Sequence, residues 1–292
     1  VHDIFFTKIT NMTLNEYKIH FKNQLISVYD IDECLAMFSI VMEEIMGYKR
    51  IDVMLKGDEI IADKDLVCLE QVLEKLIEEI PIQYIFQKGY FYGYEFKVSP
   101  ATLIPRKETE ELVEWILSTM QKNPQKKWRI LDIGTGTGCI PITIKKEFPL
   151  AHVTAIDVSR EALEIAKENA NLLKAEVQFI EKNILETIEL DMYDIIVSNP
   201  PYIRNLEKKK IRKNVLDFEP HLALFVSDED PLIFYRKITQ LAYQSLPKEG
   251  FLFFEINQYL GKEMQELILP YFSQFELKKD MQGNDRMMKM IK

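Results

Sequence analysis

A glycine-rich turn in the middle of the chain constrains its fold more than any other stretch. The short apolar run Arg129-Ile130-Leu131-Asp132-Ile133 leads into Gly134-Thr135-Gly136-Thr137-Gly138, and a helical pattern follows over 140–148. The whole chain has ten glycines, and three fall in this window. Glycine tolerates left-handed backbone and lets other groups approach closely, so the pattern predicts a buried strand turning tightly into a helix. A second apolar run, Val153-Thr154-Ala155-Ile156, ends in Asp157 and completes a strand-helix-strand unit.

The same alternation continues. Strands are predicted at 129–133, 153–157, 177–180, 193–198, 250–256, 275–280 and 286–291, with helical segments between most of them. Strands alternating with helices imply an α/β domain with a mostly parallel, doubly wound sheet. Gln282-Gly283-Asn284-Asp285 reads as a turn that pairs the last two strands antiparallel. Ahead of this domain, residues 13–80 read as helical throughout. Leu66, Leu69, Leu73 and Leu76 form one apolar stripe, and Leu35, Phe38, Val41, Met42 and Ile45 form another. The segment 82–99 alternates aromatic and polar residues, with Gly89 and Gly93 as turn points, and reads as a β-hairpin connector. The expected organisation is a helical N-terminal domain over 1–80, a hairpin linker over 81–100 and the α/β domain over 101–292.

Ligands in such sheets bind beyond the carboxyl ends of the strands. Asp157 lies about 20 residues past the glycine turn, the spacing of a carboxylate that holds ribose hydroxyls. The pattern is Gly-x-Gly-x-Gly with Asp132 before it, which suits S-adenosylmethionine better than a dinucleotide, because no pyrophosphate needs cradling. At the end of a later strand, Tyr193-Asp194-Ile195-Ile196-Val197-Ser198, stands Asn199-Pro200-Pro201-Tyr202. The Asn199 side-chain oxygen and the Pro200 carbonyl can each accept one N–H of a planar NH2 group, and proline cannot donate. The Tyr202 ring offers a flat face for a planar amide or base. This corner is suited to holding a weakly nucleophilic amide or aryl amine against an electrophile.

The rest of the composition narrows the alternatives. A formal net charge of −9 argues against a large nucleic-acid footprint. The run Lys208-Lys209-Lys210-Ile211-Arg212-Lys213 reads either as a solvated loop or as a docking patch for an acidic or RNA-associated partner. Three dispersed cysteines and four dispersed histidines form neither a zinc motif nor a nucleophilic triad, so no metal site is expected. The pattern of thiols fits a reducing cytoplasm. No apolar run reaches the length of a membrane span, and the start of the chain does not read as a secretory signal. Residues 1–11 suggest no chemistry.

Beyond the glycine turn and the Asn-Pro-Pro-Tyr corner, several segments carry a narrower likeness. They are Phe91-Tyr92-Gly93, Leu103-Ile104-Pro105-Arg106 with Thr109-Glu110, Phe218-Glu219-Pro220 with Ala223-Leu224, Phe234-Tyr235-Arg236, and Glu255-Ile256. With these the chain resembles the release-factor glutamine methyltransferase family (PrmC/HemK) over nearly its whole length. The resemblance implies a class I (Rossmann-like) S-adenosylmethionine-dependent methyltransferase domain behind a helical substrate-recognition domain. It implies a cytoplasmic enzyme, working as a monomer, that methylates the glutamine side-chain amide in the Gly-Gly-Gln motif of bacterial class I peptide-chain release factors.

Carried over residue by residue, the resemblance places Gly134, Thr135, Gly136, Thr137 and Gly138 along the cofactor's amino-acid tail. It places Asp157 on the ribose, Asn183 and Ile184 near the adenine, and Asn199 against both ligands. Asn199, Pro200, Pro201 and Tyr202 are the substrate-binding residues, with Asn199, Pro200 and Tyr202 catalytic. Pro105, Arg106, Thr109 and Glu110 would help close the site, although Arg106 and Glu110 can equally be read as a surface ion pair. Three departures stand out: Asn183 where relatives often carry Asp, Asn257 where many carry Gly, and Ser227-Asp228-Glu229-Asp230-Pro231-Leu232 in place of a glycine-containing segment. Two other readings remain open at this point: methylation of a glutamine in a ribosomal protein, and methylation of an amino group on an RNA or DNA base.

Overall fold

A computed structural model describes residues 11–292; the opening residues, read above as carrying no chemistry, otherwise lie outside the described range. The chain divides into two compact units, meeting in sequence at Phe86 and Gln87.

The first unit is helical: α1 (Leu14–Leu25), α2 (Ile31–Met46), α3 (Arg50–Leu55), α4 (Asp63–Ile77) and α5 (Ile82–Phe86). Local signals account for the boundaries. Thr13 and Glu16 form a reciprocal capping box at the start of α1, and Asp30 caps α2 through the Glu33 N–H. Gly47 ends α2 in left-handed backbone at φ +68°. The stripe Leu66, Leu69, Leu73 and Leu76 is buried, as its period predicts. On α2 the buried face includes Cys34 and Met37, whereas Leu35 and Ile45 stay half-buried, so the stripe is rotated slightly from the sequence reading.

The second unit begins with a hairpin, β1 (Lys88–Phe91) and β2 (Tyr94–Lys97). Its turn is Tyr92-Gly93, both at positive φ (51° and 79°), the backbone that matches strand twist in a two-residue hairpin. Gly89 therefore lies inside β1 rather than at a turn, and residues 82–86 are helix α5 rather than hairpin. There follow α6 (Lys107–Met120), β3 (Arg129–Ile133), α7 (Cys139–Glu147), β4 (His152–Asp157), α8 (Arg160–Leu173), β5 (Val177–Glu181) and β6 (Ile195–Ser198). A connecting region holds β7 (Ile203–Arg204), a 3₁₀ turn (Asn205–Lys210), α9 (Lys213–Phe218), α10 (His221–Leu224) and β8 (Phe225–Val226). The chain closes with α11 (Ile233–Ser245), β9 (Phe251–Glu255), α12 (Gly261–Ile268), β10 (Gln274–Lys279) and β11 (Asp285–Ile291).

Seven strands form one sheet in the order β10-β11-β9-β6-β3-β4-β5. The five from β9 to β5 are parallel, and β11 runs antiparallel to both its neighbours. Side chains alternate across it. Ile130, Ile195, Val197 and Phe253 face a core shared with Trp115 and Ile140. Leu131, Ile133, Ile196, Leu252 and Phe254 face the opposite core, with Tyr235 and Met264. Helices thus cover both faces, which is why the central strands read as unbroken apolar runs. Buried polar positions break the rule: Asp132 on β3, on the first of these faces, is fully buried, and so are Ser198 and Glu255 at the ends of β6 and β9.

Candidate active site

The order of the sheet brings the two sequence features together. Strands β3 and β6 are hydrogen-bonded neighbours, with Ile133 opposite Ser198. The next residues on each strand are Gly134 and Asn199, so the glycine turn and the acceptor corner leave the same sheet edge side by side. The Ser198 hydroxyl donates to the Ile133 carbonyl at 2.7 Å and pins the two strand ends together. Both features line one cleft of about 390 Å³.

The glycine turn is built from backbone. Gly134, Gly136 and Gly138 have φ of 77°, 53° and 79°, all left-handed. The Gly134 and Thr135 N–H groups donate to the Ile156 carbonyl at 2.9 and 3.1 Å, tying the turn to the neighbouring strand β4. At Gly134 and Gly136 a methyl group would point into open space, whereas at Gly138 it would strike α7 and α8. The first two glycines therefore clear the cleft, and the third lets two helices pack.

Asp157, at the end of β4, accepts the Gly136 N–H on Oδ2 at 2.8 Å and the Ser159 N–H on Oδ1 at 2.9 Å. Each carboxylate oxygen has further lone pairs, so it can still take a ligand hydroxyl. Burial raises its carboxyl above the ordinary range, and the N–H groups of Ser159, Gly136 and Val158 oppose that rise. Asp132 lies beneath the turn with neither oxygen hydrogen-bonded. Burial pushes its carboxyl up to about 7, the nearby Thr135 hydroxyl lowers it without reaching hydrogen-bond geometry, and Asp157 adds to the rise.

Asn183 and Ile184 line the cleft, but the Asn183 amide is engaged in its own turn. Its Oδ1 accepts the Leu185 N–H at 3.0 Å, and its Nδ2 donates to Glu186 at 2.9 Å. Asn199, Pro200 and Pro201 also line the cleft. Tyr202 does not; its hydroxyl donates to Glu255 at 3.2 Å and its ring packs against the core. Its carbonyl accepts from Asn257 Nδ2 at 2.9 Å, so Asn257 braces the corner.

Pro105, Arg106 and Thr109 line the cleft, and Glu110 does not. Arg106 pairs with Glu219, which also accepts the Ile104 N–H at 3.2 Å, so one buried carboxylate holds the approach to α6 against the residue before Pro220. Glu110 instead accepts the Tyr92 N–H at 3.1 Å and pairs with Lys107. The ion pair of Arg106 is therefore with Glu219 rather than Glu110. In the basic run, Lys208 lies 4.5 Å over the Phe225 ring and Lys210 5.5 Å over that of Tyr259.

One contributor had no signal in the local pattern. Asn169 on α8 is fully buried and joins the hairpin to the glycine turn. It accepts the Lys97 N–H at 2.7 Å and donates to the Lys97 and Thr137 carbonyls at 2.9 and 3.0 Å. The segment Pro220, His221, Leu222 and Ala223 forms a further wall of the cleft. Among the described residues, no cluster of three or more His, Cys, Asp and Glu could hold a metal, and no helix is long and apolar enough to cross a membrane.

Comparison with known proteins agrees with this geometry. Residues 106–218 match the family model Methyltransferase small domain, and residues 20–86 match PrmC N-terminal domain. The chain is 52% identical over 282 residues to a release factor glutamine methyltransferase of Flavobacterium psychrophilum, covering 96% of this chain and 99% of the relative. A release factor glutamine methyltransferase of Bacteroides thetaiotaomicron is 40% identical over 278 residues, covering 94% and 99%. Among solved structures, the hMettl16 catalytic domain shares the fold at a TM-score of 0.54 and 16% identity, covering 68% of this chain and 76% of that one.

Proposed function

The chain belongs to the release factor glutamine methyltransferase family, and from that membership we infer that it methylates the side-chain amide nitrogen of a peptide-chain release factor's glutamine, the one in the Gly-Gly-Gln motif. The observation that carries the reading is the adjacency of Gly134 and Asn199 at one sheet edge, both facing one cleft.

The residues present fit S-adenosylmethionine. Gly134 and Gly136 leave open the space that side chains would fill, Asp157 has unused acceptor capacity for ribose hydroxyls, and Asp132 is a buried carboxylate with no partner beneath the turn. Asn183 and Ile184 line the part of the cleft assigned to adenine. When bound, S-adenosylmethionine supplies an electrophilic methyl on a sulfonium and leaves as S-adenosylhomocysteine.

The protein's own task is to make a poor nucleophile attack. An amide nitrogen shares its lone pair with the carbonyl, and removing its proton outright at neutral pH is prohibitive. Asn199 Oδ1 and the Pro200 carbonyl accept the two N–H bonds of the glutamine amide and turn its lone pair toward the methyl. As the new N–C bond forms, positive charge grows on nitrogen, and the same two oxygens are already aimed at it. The surplus proton then leaves to water. Orientation of this kind supplies at most about 7–11 kcal/mol of barrier reduction. In this reading Tyr202 acts from behind the corner, through Glu255, rather than by lying along the substrate.

The helical unit over residues 11–86 contributes recognition of the protein substrate, in keeping with its match to the PrmC N-terminal domain. The protein works as a monomer, and a release-factor substrate puts the reaction in the cytoplasm. The test is to supply labelled S-adenosylmethionine with a release factor, a ribosomal protein mixture and unmodified RNA in separate reactions. Label is expected on the Gly-Gly-Gln peptide, and label on RNA alone would overturn the reading. Asn199→Ala should abolish most turnover while cofactor affinity by calorimetry holds; equal loss of both would remove Asn199 from its assigned role.

A further inference from the structure

An asparagine amide serves as an acceptor only if the right end of it faces the substrate. Its oxygen and nitrogen are nearly the same size, and a half-turn about χ2 exchanges them. A flipped Asn199 would oppose the glutamine NH2 with an NH2 of its own. Something must therefore choose between the two orientations, and the surroundings of Asn199 supply it.

Asn199 Nδ2 donates to Thr109 Oγ1 at 3.3 Å, and Thr109 Oγ1 donates to Glu255 Oε2 at 2.6 Å. Glu255 Oε1 accepts the Tyr202 hydroxyl at 3.2 Å. Two residues of the corner thus hang on one carboxylate at the end of β9 that is only 1% exposed. A carboxylate can only accept, so the Thr109 hydrogen points at Glu255. What Thr109 has left for Asn199 is a lone pair, which only the Asn199 NH2 can meet. The Asn199 oxygen is then the end left for the cleft. We propose that Thr109 and Glu255 are positioning residues: their one-way hydrogen-bond relay sets the Asn199 amide so that an acceptor, not a donor, faces the substrate. The proposal rests on the acceptor reading of the corner given above.

The relay's direction depends on the charge of Glu255. The groups around it are Glu108 and Thr109 from α6, Cys139 from α7, Tyr202 from the corner, Tyr235 from α11, whose hydroxyl donates to the Glu255 carbonyl at 3.0 Å, and Arg286 from β11. Arg286 is itself paired with buried Asp280 at 3.1 Å. Burial raises the Glu255 carboxyl above the ordinary range; the Thr109 hydroxyl, the Arg286 charge and the Tyr202 hydroxyl pull it down, and Glu108 raises it. Once protonated, Glu255 can donate to Thr109, which can then donate to Asn199 Oδ1 and turn the amide over.

Thr109→Val removes the hydroxyl and keeps the shape of the side chain. Its kcat should fall about 10- to 100-fold, the scale of a misplaced catalytic group, with KM for the release factor and cofactor affinity by calorimetry unchanged, while the unfolding midpoint drops because the buried Glu255 carboxylate loses a donor. Thr109→Ser should restore most of the turnover. The wild-type kcat should decline on the acid side, and Glu255→Gln, whose amide fixes no direction, should be slow and lack that decline. Wild-type kcat in Thr109→Val beside an inactive Asn199→Ala would overturn the relay and leave the acceptor reading standing. Equal losses in the valine and serine variants would also overturn it. Normal turnover in Asn199→Ala would instead overturn the acceptor reading beneath it.

Discussion

Alanine substitutions at two glycines of the same turn should fail in different ways. At Gly136 (φ +53°) an added methyl meets no heavy atom within 4 Å, so the cost to stability is that of left-handed backbone alone, about 1–2 kcal/mol. At Gly138 (φ +79°) the methyl would lie 2.9 Å from Ile142 Cδ1, 3.1 Å from Ala166 Cβ and 3.4 Å from Ala166 Cα. Ile142 is fully buried in α7 and Ala166 fully buried in α8, so relief requires the two helices to move apart. Overpacking of that kind adds about 1–3 kcal/mol, for a total of about 2–5 kcal/mol at Gly138. Urea unfolding followed by tryptophan fluorescence reads this directly. The chain's two tryptophans, Trp115 and Trp128, are both buried in the second unit, so the signal reports that unit. Gly138→Ala should unfold at clearly lower urea than Gly136→Ala, by roughly 1 M for ordinary m-values. Cofactor affinity should run the other way, because the Gly136 methyl stands in the cleft. Equal urea midpoints would refute the assignment of Gly138 to helix packing, and undiminished cofactor affinity in Gly136→Ala would refute the cradle.

Two further predictions concern the acids around that turn. Asp157→Ala should weaken S-adenosylmethionine binding about 10-fold or more, the scale of a lost hydrogen bond to a charged group, and unchanged affinity by calorimetry would remove the ribose contact. Asp132 binds a proton in the folded protein up to about pH 7 and in the unfolded chain only to about 3.8, so wild-type stability should fall as pH rises through that window. The fall is at most about 4 kcal/mol, at 1.36 kcal/mol for each tenfold change in proton affinity. Asp132→Asn cannot titrate, so its stability curve should lack that decline, and parallel curves for the two proteins from pH 4 to pH 8 would refute the buried carboxyl.

Much of the fold is legible because it is written in short-range patterns. The runs that became β3, β4, β6 and β9 are largely apolar on both faces, as strands under helices on both sides must be, whereas the edge strand β5 carries Gln178 and Glu181 exposed. Gly134, Gly136 and Gly138, all at positive φ, and the Asn-Pro-Pro-Tyr corner lie where the sequence places them, after strand ends. The differences between sequence pattern and structure are local as well. Gly89 reads as a turn residue, but glycine also serves inside a strand, and here a side chain would come within 3.0 Å of Val98. Residues 82–86 carry the aromatic and β-branched composition of a strand yet form a helical turn packed on α4.

What the chain alone determined is the kind of site: backbone that approaches a ligand closely, and an acceptor-rich corner at a strand end, each coded within five consecutive residues. What only the folded structure decided is how that corner is held. Asn199 meets Thr109 from 90 residues away, Thr109 meets Glu255 from 146, and Arg106 meets Glu219 from 113. No periodicity encodes such pairs. A buried carboxylate selects its donors by distance in space, and that distance exists only once β9, β6 and α6 have packed against one another.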